Sequence, residues 1–136
     1  MELKFVAGVT PIVRDLDASL AFYRDTLGVP VANSEDHPEY FATDDMPGLK
    51  HIGLWRLEDA AEACFGTKEW PNSVPAPQAT IEFDVDDVAT AAQEMVAAGY
   101  TLVHDVRTEP WGQVLARVMS PEGLLIGLTY TPWMRD

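Results

Sequence analysis

Two aspartates and two glycines set the frame for this chain. Asp15 and Asp86 are 71 residues apart, and so are Gly28 and Gly99. Each aspartate stands where an apolar helical period begins, and each glycine stands where it ends. An aspartate side chain satisfies free amides at a helix N-terminus, and glycine takes the left-handed conformation that closes a helix at little cost. A repeat of this kind points to two copies of one supersecondary unit.

The hydrophobic period around these markers runs the same way twice. Lys4–Thr10 reads as a strand with Phe5, Ala7 and Val9 on its core face. A helix follows over Asp17–Leu27, with Leu20, Phe22, Tyr23 and Leu27 at near-helical spacing. Short strands are expected at Val29–Val31, Glu39–Ala42 and Leu49–Leu57. In the second copy, Thr80–Val85 alternates polar and apolar residues, and Asp86-Asp87 caps a helix over Val88–Ala98. Strands Thr101–Val106, Val114–Met119 and Leu124–Tyr130 complete it, the last two joined by the turn Ser120-Pro121-Glu122-Gly123. The expectation is one α+β domain over residues 1–136, built of tandem βαβββ modules at 3–57 and 78–131. Residues 58–77 form the linker, punctuated by Gly66, Pro71, Pro75 and Pro77, with room for a short helical piece at Asp59–Cys64. Paired edge to edge, such modules give a curved, trough-shaped mixed sheet with the helices outside and a hollow inside.

Composition narrows the function. Twenty-two acidic residues against nine basic ones leave a net charge of −13, which repels phosphate backbones and argues against nucleic acid. The same charge suits a cationic ligand or simple solubility. No apolar run is long enough to span a membrane, and the N-terminus lacks a secretory pattern, so a cytoplasmic protein is expected. Cys64 is the single cysteine; it forms no intrachain disulfide and anchors no cysteine metal cluster.

Period two assigns the inner face of the trough. Gly8 and Thr10, then His51, Gly53 and Trp55, then Thr80, Glu82 and Asp84, and finally Leu125, Gly127 and Thr129 face in. Gln113, Leu115, Arg117 and Met119 join them. Small residues in mid-strand leave volume, and a hollow lined by a few polar groups and an indole suits an organic ligand. Glycines that merely relieve crowding in a bent sheet are the plainer alternative. His51 reads as part of a polar wall, a proton-transfer group or, less readily, a metal ligand. Glu82 and Arg117 either pair across the trough or meet a charged ligand group. Trp111, on the turn Glu109–Gln113, is a ligand wall or an interface residue. Tyr40 and Phe41 alternate, so one of them faces the hollow. The candidate ligand-binding set is therefore Trp111, Trp55, His51, Glu82, Arg117 and Tyr40, with no catalytic, metal or cofactor residue assigned outright.

The segment Val13–Gly28 and the Ser120–Gly123 turn, together with the repeat, resemble the vicinal-oxygen-chelate superfamily of glyoxalases, extradiol dioxygenases and fosfomycin- and bleomycin-resistance proteins. The resemblance implies the trough fold and a homodimer. It places the superfamily's metal-ligand positions on Gly8, near Gly53, on Thr80 and on Gly127, none of which suits a divalent ion. It therefore implies a metal-free member, closest in character to bleomycin-resistance proteins, that sequesters a cationic or aromatic organic ligand such as an antibiotic unchanged. The competing expectations are a metal-independent isomerase, lyase or hydrolase using His51 or Glu82 for proton transfer, and a non-catalytic interaction domain.

Overall fold

The computed structural model describes residues 1–135. Seven strands form the sheet: β1 (Phe5–Val13), β2 (Phe41–Ala42), β3 (Gly53–Arg56), β4 (Ala79–Asp84), β5 (Leu102–Thr108), β6 (Val114–Met119) and β7 (Leu125–Tyr130). Their order across the sheet is β2-β3-β1-β4-β7-β6-β5, so the two halves of the chain meet along β1 and β4. That seam is antiparallel, while β1 with β3 and β4 with β7 are parallel, which makes the sheet mixed.

The first helix, α1 (Leu16–Leu20), starts where Asp15 accepts a hydrogen bond from the Ala18 amide at 3.0 Å. It then widens into π-helical turns over Ala21–Thr26. The wider turns rotate the later side chains. Leu20 and Tyr23 pack with Val13, Val31 and Leu54, but Phe22 and Leu27, the other apolar residues of the helical period, are exposed. Helix α3 (Val88–Ala97) begins at Asp87, whose carboxylate takes bonds from the Thr90 amide and hydroxyl at 3.1 and 2.8 Å. Asp86 instead reaches Lys4 and Arg135. The second cap thus lies one residue beyond the repeat read from Asp15 and Asp86. Gly28 and Gly99 both have φ near the left-handed region, at 79° and 99°. Both α1 and α3 cover the outer face, the latter through Val88, Ala91 and Ala92 against Ala116 and Leu128.

The first half is more irregular than the second. Val29–Val31 forms no strand, and pairing there is limited to a bridge between Ala32 and Ala42. The strand expected over Leu49–Leu57 shortens to β3, because Leu57 already opens a nine-residue helix, α2 (Leu57–Phe65). This helix closes on Gly66 at φ 78° and is longer than the expected helical piece. Ala60 and Cys64 pack on Ile12 and Leu125, flanked by Trp55 and Met119. By strand alternation Ile12 and Leu125 share a face with Thr10 and Gly127, so α2 lies inside the trough and fills one end of it. Among the described residues no helix is long and apolar enough to cross a membrane.

Candidate active site

The rest of the concave face is an open cleft of about 850 Å³. Its floor is one lateral row of the sheet: Gly8 pairs with Glu82, Glu82 with Gly127, and Gly127 with Arg117. His104 of β5 stands next in that row. The side walls are the segment Asp36–Tyr40, the turn bearing Trp111, and Asp59, Glu62 and Ala63 of α2. Arg56 clamps the first wall to the helix, since its guanidinium pairs with Glu39, with Glu58 at 2.7 Å and with Asp59 at 2.8 Å.

The inner-face glycines have a different job from the one expected of them. A methyl group on Gly53 would collide with the Tyr40 hydroxyl, and one on Gly127 would sit 2.9 Å from Glu82 Cγ. One on Gly8 would touch the His51 ring at 3.4 Å. Each glycine therefore seats a polar side chain from its neighbour, and the volume of the cleft comes from the breadth of the trough. Glu82 has glycine on both sides in its row, which lets it lean across β7.

Two polar groups result. The Tyr40 hydroxyl and His51 Nε2 are 2.5 Å apart, with the rings stacked. Burial raises the Tyr40 pKa, with the negative charge of Glu82 adding to it, so the phenol stays protonated. Burial also lowers the His51 pKa, opposed by Glu82 and Asp44, so the imidazole is neutral near pH 7. The second group is a relay: Trp111 Nε1 donates to Gln113 Oε1 at 2.9 Å, and Gln113 Nε2 donates to Glu82 Oε2 at 2.8 Å and to Thr129 Oγ1 at 2.8 Å. The relay orients one oxygen of the carboxylate and leaves the other without a hydrogen-bond partner among the described residues.

The structure brings all six sequence candidates, Trp111, Trp55, His51, Glu82, Arg117 and Tyr40, onto the walls of this one cleft. Tyr40 is the member of its pair that faces in, and Phe41 packs on the outer cluster. Glu82 and Arg117 do not form the ion pair considered from sequence, because Glu82 bonds to Gln113 and Arg117 to His104. Asp84, placed on the inner face by alternation, is fully buried against Arg135 and the Thr131 amide. Gln113 is the residue whose importance the sequence understated. Its place two residues from Trp111, on the inner parity of β6, was the available signal.

The implied metal positions are three glycines and a threonine, which offer no charged or imidazole donor. Among the described residues no group of three or more His, Cys, Asp or Glu is placed to hold a metal ion. This donor set does not fit a divalent ion, and His51, Tyr40 and Glu82 lean over three of the four positions instead.

Two outcomes follow from this geometry. Gly127→Ala should destabilise the protein by about 1–3 kcal/mol through the clash with Glu82, and Glu82→Ala should relieve it. A double-mutant cycle by urea denaturation is expected to show a coupling of at least about 1 kcal/mol, and additivity would contradict the close approach. His104 provides the second. Burial lowers its pKa to about 4, with Arg117 and Arg107 contributing. The unfolded chain therefore binds the proton first. This part of the stability is complete above about pH 6.5 and is lost as pH falls toward 4. His51 acts in the same direction. His104→Gln should flatten the fall in urea midpoint between pH 6.5 and 5, and an unchanged slope would refute it.

Comparisons with known proteins agree with this architecture. A family model described as the Glyoxalase/Bleomycin resistance protein/Dioxygenase superfamily matches residues 7–128. A lactoylglutathione lyase of Haemophilus influenzae is 29% identical over 119 residues, covering 84% of this chain and 83% of the relative. Among solved structures, Streptomyces coelicolor methylmalonyl-CoA epimerase in complex with 2-nitronate-propionyl-CoA aligns with a TM-score of 0.61 at 21% identity, covering 99% of both chains. A superfamily member from Vibrio splendidus aligns at 0.60 with 17% identity, covering 93% of this chain and 100% of that one. At these identities the structural likenesses speak for the fold, and the family match over most of the chain settles membership: the protein belongs to the glyoxalase/bleomycin resistance/dioxygenase superfamily.

Proposed function

We propose that this protein is a metal-independent enzyme of the isomerase or lyase type, which moves a proton on a small organic molecule held in the cleft. The observation that carries the reading is the Glu82 carboxylate. It is seated on Gly127, oriented through one oxygen by Gln113, and free of any cationic partner among the described residues. A positioned carboxylate with one open oxygen is equipped to act as a general base. It would take a proton from carbon next to a carbonyl, and the electron pair would move to the carbonyl oxygen to form an enolate.

The Tyr40–His51 pair supports the same reading. A neutral imidazole and a phenol hold two acidic hydrogens between them and spend one on their mutual bond, whichever tautomer is present. The remaining hydrogen is available to a developing oxyanion or for return of the proton. That the 29% identical relative is a lyase also favours catalysis over sequestration, the first expectation from sequence. Sequestration keeps one observation of its own: the indoles of Trp111 and Trp133 line the cleft while 55% and 56% exposed, as an aromatic ligand would require.

The two readings separate in one experiment. The protein is incubated in D₂O with a panel of carbonyl compounds bearing acidic C–H groups, and loss of the C–H signal is followed by NMR. Catalysed wash-in of deuterium is expected for at least one compound, reduced about 10²–10⁴-fold by Glu82→Gln. Tight binding without exchange, or exchange undiminished in Glu82→Gln, would overturn the proposal.

A further inference from the structure

Among the described residues Arg117 is a buried cation without a counter-ion. It is 5% exposed, yet its Nε has no hydrogen-bond partner among the described residues. Its Nη1 lies 3.0 Å from His104 Nε2. The other nitrogen of that ring, Nδ1, is 2.7 Å from the Asp105 carbonyl oxygen, which can only accept, so Nδ1 carries the proton and Nε2 offers a lone pair. His104 is thus a neutral acceptor. Trp55 adds the face of its indole, 5.2 Å from the guanidinium carbon, which again brings no formal charge.

The contrast with the other sheltered arginines is sharp in a chain so rich in acids. Arg56 has Glu39, Glu58 and Asp59; Arg107 has Glu109 at 2.9 Å; Arg135 has Asp84 and Asp86. Burying an unpaired charge is costly, and the cost is recovered when an anion arrives. In the floor row the acid next to Arg117 is Glu82, two strands away across Gly127, or about 9–10 Å at ordinary strand spacing. Glu82 leans across β7, but Gln113 holds its carboxylate and no ion pair with Arg117 forms. The cleft thus carries a base and an unsatisfied cation with no ion pair between them among the described residues.

We infer that Arg117 anchors the carboxylate of a small, singly charged organic acid, whose remaining atoms extend through the cleft toward Glu82. This rests on the reading of Glu82 as the base and names the substrate class for it. The rim limits the charge. Asp36 and Glu62 line the cleft, Glu39 and Asp59 share the single charge of Arg56 with Glu58, and Arg107, the other cation there, is already paired with Glu109. Charges within about 8 Å interact at physiological salt, so a phosphate-rich carrier crossing this rim meets repulsion that one carboxylate at the floor escapes. Thr80 Oγ1, a second buried polar atom without a partner, lines the same cleft and can bond an uncharged oxygen of the ligand. The net charge alone favours a cation; the local arrangement at the floor favours an anion.

The test is equilibrium titration of the full chain with phenylacetate, phenylacetamide and phenyl phosphate, read by tryptophan fluorescence and calorimetry. Phenylacetate is expected to bind at least tenfold tighter than phenylacetamide, with phenyl phosphate weaker than phenylacetate. Arg117→Gln should remove the acid-over-amide preference, and Arg117→Lys should restore part of it. Should Arg117→Gln fail to fold, the wild-type preference and Arg117→Lys carry the test. Equal affinity of acid and amide, no binding of the acid, a preference for the phosphate, or an Arg117→Gln variant that keeps the acid preference would each overturn the inference. The proton-transfer reading fails separately: Glu82→Gln, which removes a neighbouring negative charge, should not weaken phenylacetate binding, and Glu82-dependent deuterium wash-in can persist with neutral compounds even where no carboxylate preference is found.

Discussion

The cleft depends on how closely one side chain approaches one backbone. Glu82 can lie across the sheet only because position 127 carries no Cβ, and its flank toward β1 is glycine as well. With any larger residue at 127 the carboxylate would be pushed off the floor into the open trough. Glycine costs conformational entropy in a strand, so its presence in mid-strand β7 is best understood by what it admits. The same relation holds at Gly53, where the Tyr40 hydroxyl occupies the space a side chain would need.

From that packing constraint the electrostatics follow. Seated on Gly127 and bonded to Gln113, Glu82 is held away from Arg117, and neither charge cancels the other. Two buried or half-buried charges kept apart cost stability that a direct ion pair would partly return. The protein tolerates this in a sheet whose outer face is well packed, with Leu54 and Ala116 fully buried and Leu128 nearly so. The inner end is stabilised by α2, which buries Ala60 and Cys64 on Ile12 and Leu125. Stability is supplied at the outer face and at one end, and the charged groups stand between.

Most of the fold was legible in the sequence because it rests on local signals. The left-handed glycines 28 and 99, the Asp15 cap and the alternation of Thr80–Val85 each report on a few adjacent residues. What was hidden depends on register or on tertiary contact. A bulge between Val6 and Gly8 shifts the parity of β1, so Phe5 pairs with Asp84 while Gly8 pairs with Glu82. The simple alternation of Phe5, Ala7 and Val9 breaks there. The π-helical turns that expose Phe22 and Leu27 leave no mark in apolar spacing. Within the cleft, period two correctly gathered Glu82, Arg117, His51 and Trp55 on one face. It gave no account of which neighbour would lean over which glycine, and so read occupied space as empty and a separated pair of charges as a candidate ion pair.

The most direct test of this arrangement is the position of the Glu82 side chain in solution. Nuclear Overhauser contacts in the protein, measured near neutral pH without added ligand, report it. The account requires contacts from the Glu82 γ-protons to the Gly127 α-protons and from the Gln113 side-chain amide to Glu82. Contacts from the Glu82 γ-protons to the Arg117 δ-protons, with those to Gly127 missing, would show the two charges paired across the trough. That result would contradict both the poised carboxylate and the unsatisfied cation on which the functional reading stands.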